Sequence, residues 1–286
     1  AGLPAGVFNL VCGTGIAVGA ALAADPRIAK VSFTGSNAVG VQVMQRAAET
    51  IKGVSLELGG KSSLLVLEDA DLELAVELAC LGGFFNAGQM CSATSRVLVA
   101  ETLYPDFIAR LKARAEAIQV GEPFTGDKEM GPLVNALQYQ RVQGHIAAGL
   151  ASGARLLCGG ARPADLSCGY FISPTVFTDV PLDSALWREE IFGPVLCVRP
   201  VASEGEAIAL ANDSEFGLVA SVVGQDLDAV ERVANALQAG LVWINAPQVI
   251  FPQTAWGGYK QSSMGRELGP WGLSAFQEIK HVVRAV

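Results

Sequence analysis

Short runs of apolar residues alternate with stretches of helical spacing from the start of the chain. The apolar runs at 7–11, 30–33 and 54–58 predict β-strands. Between them, the spacing predicts a short helix that ends near Ala24 and a second helix over about 37–51. This alternation predicts a parallel sheet. Three strands make only half of a doubly wound sheet, so we expect an α/β fold that begins with an incomplete βαβαβ unit.

A second α/β unit is predicted beyond residue 60, because the same alternation resumes there. Strands are expected at 63–67, 96–99, 195–200, 219–223 and 241–245, and helices at 69–85, 103–118, 135–152, 204–212 and 226–238, with loops around 158–175. The tail at 276–286 is apolar at Ile279, Val282 and Val283, which suits a strand that pairs outside its own domain. We therefore divide the chain into residues 1–59, 60–262 and 263–286.

Composition narrows the possible partners. Hydrophobic residues make up 51% of the chain and charged residues 17%, which suggests a large assembly or a fragment whose missing part covers apolar surface. The net charge is −8 and no basic run occurs, so nucleic acid is not an expected partner. No apolar segment approaches the ~20 residues that cross a bilayer, so no membrane partner is expected.

Cysteine and histidine usage argues against a metal site and against disulfides. The six cysteines contain no C-x-x-C pair and there are only two histidines, so a zinc site is not expected. Their scattered spacing favours a reducing compartment, and we expect a cytoplasmic protein. The chain opens with Ala1, without a signal-peptide pattern, and is interpreted as a piece of a longer protein.

Three segments could carry chemistry. Gly35, Ser36 and Gly40 lie where a strand passes into a helix, and a helix start suits a pyrophosphate; a capped helix of any α/β protein is the alternative. Glu57 ends a predicted strand before two glycines and could act as a general base, or be a surface glutamate. Cys91 follows a predicted break between helix and strand, where a thiol could be exposed; a buried, inert cysteine is the alternative.

These segments and others resemble the signatures of one enzyme family. The runs LELGGKS at 56–62, GQMC at 88–91 and EIFGP at 190–194 are similar to those of the aldehyde dehydrogenase superfamily, in its order and spacing. GGYKQS at 257–262 and GRELG at 265–269 resemble its C-terminal signature. The resemblance covers essentially the whole chain. It also implies that the family's first strands and a second oxyanion donor precede Ala1, so this chain resembles the C-terminal portion of such an enzyme.

The resemblance implies a role for each motif. Cys91 would attack the aldehyde carbon to form a thiohemiacetal, hydride loss would leave a thioester, and Glu57 would activate water for hydrolysis. Glu267 is similar to a family residue that relays protons to the base. The implied cofactor is NAD or NADP, held by Gly35, Ser36, Gly40, Leu58, Gly59, Gln138, Glu190 and Phe192. The three segments become the second half of a dinucleotide-binding domain (1–59), a catalytic domain (60–262) and an oligomerisation strand (263–286).

The implied substrate is a small aldehyde that carries an ammonium group. The chain is most similar to the betaine-aldehyde and aminoaldehyde branch, in which an aromatic box holds a cation. Phe85, Leu241 and Trp256 are the expected substrate-binding residues. The bulk of Leu241 favours ω-aminoaldehydes over betaine aldehyde, and core packing is the alternative for Trp243 and Trp256.

Three other functions remain open at this point. A coenzyme A-acylating relative would intercept the same thioester, but it would not need a base such as Glu57. A non-catalytic fragment or oligomerisation module is a second alternative. A thiol hydrolase is the third, although no histidine lies near Cys91 in the sequence. A homodimer or homotetramer is expected for the full-length protein.

Overall fold

The computed structural model describes residues 2–124 and 126–286. The strands are β1 (Lys30–Thr34), β2 (Gly53–Glu57), β3 (Ser63–Val66), β4 (Arg96–Ala100), β5 (Arg155–Cys158), β6 (Thr175–Thr178), β7 (Val195–Val201), β8 (Phe216–Gly217), β9 (Val219–Val223), β10 (Leu241–Ile244), β11 (Tyr259–Lys260) and β12 (Ser263–Met264). The α-helices are α1 (Ala20–Ala24), α2 (Asn37–Ala48), α3 (Leu72–Phe84), α4 (Tyr104–Ala117), α5 (Ala136–Ala151), α6 (Ala185–Arg188), α7 (Glu204–Asn212), α8 (Leu227–Ala236) and α9 (Gly269–Ser274). A π-helix (Gly15–Gly19) precedes α1, and a 3-10 helix (Phe85–Gly88) follows α3.

A seven-stranded sheet forms the larger unit, in the order β10-β9-β3-β4-β7-β6-β5. Its neighbouring strands are parallel except for β5, which runs antiparallel to β6. Every residue of β3 and of β9 is buried, because helices cover both faces of the sheet. Central strands are therefore predominantly apolar in the sequence, which is why β3, β7 and β9 lie within a residue or two of their predicted positions.

A smaller three-stranded sheet carries Glu57 at the end of one of its strands. Its order is β1-β2-β12; β1 and β2 are parallel, and β12 returns from the end of the chain to pair antiparallel with β2. Its core is small, with Val43, Leu56 and Leu58 among its buried members. The connection at 58–62 leads directly from β2 into β3 of the larger sheet. The carboxyl end of β2 therefore lies at the junction of the two sheets.

The α/β fold class is confirmed, but the strand predicted at 7–11 is wrong. Within the described residues that segment forms no strand, and Phe8 and Leu10 are 78% and 80% exposed. An apolar run becomes a strand only where a neighbouring strand accepts its hydrogen bonds, and here none does. The first unit is therefore a β1–α2–β2 unit completed by β12.

One further difference lies in the second half. β5 and β6 border the region predicted as loop at 158–175; each strand has only four residues, too short to show a clear period. The tail at 276–286 lies in no strand of the described chain, and Ile279 is 98% exposed. Among the residues that the structure describes, none of the helices is both long and apolar enough to span a bilayer.

Candidate active site

The Glu57 side chain is buried at the end of β2. It is 4% exposed, and the Ser263 hydroxyl donates a hydrogen bond of 3.0 Å to Glu57 Oε2. This contact follows from the antiparallel pairing of β12, which puts Ser263 opposite Glu57. The carboxylate is therefore held by a residue that lies far away in the sequence.

Burial makes Glu57 a weaker acid than an ordinary glutamic acid. Desolvation raises its pKa to about 7; the Ser263 hydrogen bond lowers it, the charge of Glu267 raises it and that of Arg266 lowers it. A carboxyl group with a pKa near 7 is present in both protonation states at neutral pH. This is the condition under which a side chain accepts and returns a proton efficiently.

A left-handed turn positions Cys91. Asn86 and the two residues after it have φ values of 52°, 54° and 68°. The Asn86 and Gln89 amides close the turn reciprocally, each donating 3.1 Å to the other residue's carbonyl. The last residue of the three must be glycine, because a Cβ on Gly88 would collide with the carbonyl of Gly193. The turn thus packs Gly88 against the Gly193 backbone, three residues before Cys91.

The Cys91 thiol is half-buried and lies among carboxylates. Burial raises its pKa, the charges of Glu190 and Glu57 raise it further, and the backbone N–H groups of Ser92 and Cys91 lower it. Both carboxylates are therefore within electrostatic range of the sulfur. The thiol rests as S–H and needs a nearby base, and the backbone N–H groups stabilise the thiolate when it forms.

Cys91 opens into a cleft of about 520 Å³ between the carboxyl ends of β1 and β2, the turn and α5. Its lining residues are Thr34, Gly35, Ser36, Leu58, Gly59, Gln89, Met90, Cys91, Ser92, Gln138, Arg141, Glu190, Phe192, Ile250 and Trp256. Seven of the eight predicted cofactor residues are among them. The eighth, Gly40, lies in the first turn of α2, where it packs against the Leu58 side chain.

Glu190 approaches the backbone that follows β2. The Gly60 N–H donates 3.1 Å to Glu190 Oε1, and Gly59 leaves room for the carboxylate, since a Cβ there would collide with Oε2. Burial raises the pKa of Glu190, while the Gly60 N–H and the charges of Lys61 and Arg141 lower it. One oxygen is thus anchored to the protein and the group lines the cleft.

Gln138 braces the loop that follows Glu190. Its Nε2 donates to the Ile191 carbonyl at 3.0 Å and to the Phe192 carbonyl at 2.8 Å. Phe192 has a φ of 53°, an uncommon conformation for an aromatic residue. The two hydrogen bonds hold this conformation, and the Phe192 ring lines the cleft.

The start of α2 faces the same cleft. Ser36 is the N-cap residue, and its side chain makes no capping hydrogen bond within the described chain. The Gly35 N–H donates 3.0 Å to the Glu57 carbonyl, which ties the loop to β2. Asn37, which sequence reasoning missed, accepts from the Gly59 N–H at 3.2 Å. Its Nδ2 donates to the carbonyl of Gln261 at 2.7 Å, and the amide links three segments.

Glu267 is near Glu57 without contacting it directly. The Ser32 hydroxyl donates 3.0 Å to Glu267 Oε1, and the backbone of Glu267 pairs with that of Trp256 at 2.7 and 2.8 Å. The charge of Glu267 raises the pKa of Glu57, so the two carboxylates interact electrostatically. Glu267 therefore belongs to the surroundings of the buried base.

The predicted substrate residues divide between two places. Trp256 lines the cleft, and Leu241 packs with Cys91 and Trp256 against one apolar cluster. Phe85 differs from the expectation: the residue is not part of the cleft lining in the described chain, and it is 58% exposed beside a separate groove. Trp243 is 7% exposed and belongs to the core.

Several cleft residues were missed by sequence reasoning. Arg141 follows Gln138 by one helical turn, so helical spacing could have indicated it. Ile250 lies on a loop with no regular pattern, and Ser92 is a small residue next to the cysteine. In the part of the chain that the structure describes, no group of three or more histidine, cysteine, aspartate or glutamate residues is arranged to hold a metal ion.

Known proteins resemble this chain closely. It is 48% identical over 283 residues to aminoaldehyde dehydrogenase 1, peroxisomal, of Pisum sativum, covering 99% of this chain and 56% of that protein. It is 47% identical over 281 residues to the chloroplastic betaine aldehyde dehydrogenase of Beta vulgaris, covering 98% and 56%. The crystal structure of betaine aldehyde dehydrogenase from Staphylococcus aureus with NAD+ superposes with a TM-score of 0.93 at 42% identity, covering 96% of this chain and 55% of that one.

The comparisons contradict the expected location of the protein and confirm the expected family. The expected cytoplasmic location is contradicted, since the pea protein is named peroxisomal and the beet protein chloroplastic. Scattered cysteines indicate only that disulfides are not expected, and this does not distinguish one compartment from another.

The chain spans about half the length of the relatives it matches. The profile of the aldehyde dehydrogenase family matches residues 1–282, and the chain therefore belongs to that family.

Proposed function

We propose that this chain supplies the nucleophile, the base and part of the cofactor site of an enzyme that oxidises an aldehyde to a carboxylic acid with NAD or NADP. The observation that carries the proposal is that Cys91 and Glu190 line one cleft while the buried carboxylate of Glu57 lies within electrostatic range of the Cys91 thiol. A thiol and a base at one site are what acyl-enzyme chemistry requires.

The first step forms a bond between Cys91 Sγ and the aldehyde carbon. The sulfur loses its proton to Glu57, whose pKa of about 7 suits an acceptor. The carbonyl oxygen gains negative charge, and in this proposal the Cys91 backbone N–H donates a hydrogen bond to it. The thiohemiacetal carbon then loses a hydride, for which NAD(P)+ supplies the acceptor when bound, and a thioester remains.

The second step hydrolyses that thioester. Glu57 removes a proton from water, the hydroxide adds to the acyl carbon, and the carbon–sulfur bond breaks to release the acid and the Cys91 thiolate. In this proposal Glu267 exchanges protons between Glu57 and solvent, because its charge raises the pKa of Glu57 and its own side chain is partly exposed. Because the Glu57 side chain is buried, its interpretation as a general base is favoured over its interpretation as a solvated surface glutamate.

The cofactor fit is supported by the shape of the cleft. Glu190 presents a carboxylate that could accept hydrogen bonds from a ribose diol, beside the Phe192 ring. Gly35 and Ser36 leave the positive end of α2 open to a pyrophosphate, as the uncapped Ser36 side chain suggests. The Staphylococcus aureus relative was solved with NAD+. The resemblance implies that the residues for the adenosine end lie in the part of the relatives that this chain does not span.

We further propose an ω-aminoaldehyde as substrate. Trp256 offers an indole face in the cleft, and a cation over such a face gains about 0.5–2 kcal/mol. The bulk of Leu241, near Cys91 and Trp256, disfavours a trimethylammonium group. In the protein expressed from its complete gene, Trp256→Ala should lower kcat/KM for 3-aminopropanal more than for hexanal. Equal losses for the two aldehydes would contradict the substrate proposal.

The chemical roles are tested by separating acylation from hydrolysis. In the same protein, Cys91→Ser should abolish NADH formation, with Cys168→Ser, at an exposed cysteine, as the matched control. Glu57→Gln should slow turnover by about 10²- to 10⁴-fold, and it should slow hydrolysis more than acylation, because water is a weaker acid and nucleophile than a thiol and depends more on the base. Mass spectrometry should then show an acyl group on Cys91. Full activity in Cys91→Ser would overturn the proposal, and an acyl-coenzyme A product would favour the acylating alternative.

We also propose a homodimer or homotetramer and the three-part division at residues 59 and 262. The tail at 276–286 is exposed and apolar, which supports its pairing with another subunit. Removal of residues 276–286 should reduce the oligomer size measured by light scattering. An unchanged oligomer would contradict the proposed role of the tail.

A further inference from the structure

A loop that faces the cleft is joined to the residue next to Cys91. This loop, residues 245–252, follows β10 and is called the substrate loop below. Val249, Ile250 and Phe251 expose 42%, 49% and 57% of their surface, and Ile250 lines the cleft. An aldehyde that enters the cleft would therefore contact this loop.

Ser92 and Gln248 form a reciprocal pair of hydrogen bonds. The Ser92 hydroxyl donates to Gln248 Oε1 at 2.9 Å, and Gln248 Nε2 donates to the Ser92 carbonyl at 3.1 Å. Ser92 is 3% exposed, so its backbone is fixed inside the protein. Trp243 Nε1 donates to the Val249 carbonyl at 2.9 Å and anchors the loop at a second point. The substrate loop is thus fastened directly to the nucleophile's neighbour.

The position of Ser92 matters to the sulfur. Ser92 directly follows Cys91 in the chain, so its N–H lies beside the Cys91 side chain; with the Cys91 N–H it lowers the pKa of the thiol, against burial and two carboxylates that raise that pKa. A backbone N–H that turns away from the sulfur withdraws this stabilisation. The hydrogen bonds of Gln248 to the other groups of Ser92 restrict that rotation.

We propose that the Ser92–Gln248 pair couples the substrate loop to the nucleophile, so that Gln248 is a positioning residue that holds the Ser92 N–H against the Cys91 sulfur. The proposal rests on the proposed function only in taking Cys91 as the nucleophile. A loop contact that serves structure alone would leave the reactivity of the sulfur unchanged.

The test measures how fast Cys91 itself is alkylated. Iodoacetamide is added to the protein expressed from its complete gene, from about pH 6 to about pH 10, and labelling of each cysteine is read by peptide mass spectrometry. The variants are Gln248→Met, which keeps the volume and removes both hydrogen bonds, Ser92→Ala, and the double variant. Gln253→Ala, at an exposed residue just beyond the loop, is the matched control. Cys168, which is exposed, is the reference thiol in every sample.

We expect the midpoint of the Cys91 profile to rise by about 0.5–1 pH unit in Gln248→Met. This corresponds to about three- to tenfold slower labelling near neutral pH, because labelling follows the thiolate fraction. Ser92→Ala keeps the Gln248 bond to the Ser92 carbonyl and should show a smaller shift. The double variant should not exceed Gln248→Met, and Cys168 should be unchanged.

Two results would overturn the proposal. One is a Cys91 profile in Gln248→Met that superimposes on that of the wild type. The other is an equal change at Cys91 and Cys168, which would indicate general loosening. The proposed function has a separate test, since it fails if Cys91→Ser retains aldehyde oxidation, whatever the alkylation profile of Gln248→Met.

Discussion

The burial of Glu57 should make the stability of the protein depend on pH. Desolvation raises the pKa of Glu57 from 4.5 to about 7. Between these values the folded protein keeps a proton that the unfolded chain has released, so folding is favoured at the acidic end. The stabilisation is present below about pH 4.5, is lost as the pH rises through the window, and does not change further above about pH 7.

The size of this effect follows from the same two values. At about 1.4 kcal/mol per unit, the rise from 4.5 to about 7 corresponds to about 3 kcal/mol. Water in the adjoining cleft screens the charge, so we expect about 2 kcal/mol. Glu57→Gln removes the titration, keeps nearly the same volume, and leaves an oxygen that can accept from Ser263. The variant should be more stable than the wild type by about 2 kcal/mol near pH 8, and nearly equal to it near pH 4.5.

Urea unfolding followed by circular dichroism at about pH 4.5, 6 and 8 measures this difference. The matched control is Glu231→Gln, which makes the same change of charge at an exposed position on α8. If Glu57→Gln and the wild type differed by the same free energy at all three pH values, Glu57 would not be titrating in the window, and the argument from burial would be refuted.

Three further predictions concern the surroundings of the site. Gly88→Ala should destabilise the protein by about 3 kcal/mol in urea unfolding, because its Cβ would collide with the Gly193 carbonyl. The control is Gly153→Ala, at a residue with a φ of 87° and open space around it, which should lower the free energy of unfolding by only about 1 kcal/mol. Equal losses in the two variants would contradict the collision. Gln138→Ala should lower the free energy of unfolding by about 1–3 kcal/mol, since two backbone carbonyls lose their donor; an unchanged urea midpoint would contradict the bracing role. Burial lowers the pKa of Lys61 to about 8, so the wild type should gain stability relative to Lys61→Met as the pH rises from about 8 towards 10.5. This difference separates Lys61 from the buried thiols, whose raised pKa values act in the opposite direction, and a difference that did not change with pH would contradict the prediction.

The sequence determined which elements form wherever both faces of a strand are buried. β7 and β9 are predominantly apolar, and their positions were predicted closely. It also determined the family, because the LELGGKS and GQMC runs retain their spacing. The same local pattern failed at 7–11, where the residues are apolar enough for a strand but have no neighbouring strand. Periodicity reports which residues can be buried, whereas pairing depends on what lies beside them.

Tertiary structure alone decided the chemistry of the site. The pKa of Glu57 depends on burial and on Ser263, and the Ser92–Gln248 pair joins residues from distant parts of the chain. Phe85, which the sequence placed at the substrate, lies beside another groove. A sequence pattern identifies groups capable of a reaction through their type and spacing. Desolvation and hydrogen bonding set their reactivity, and both act between atoms that only the folded chain brings together.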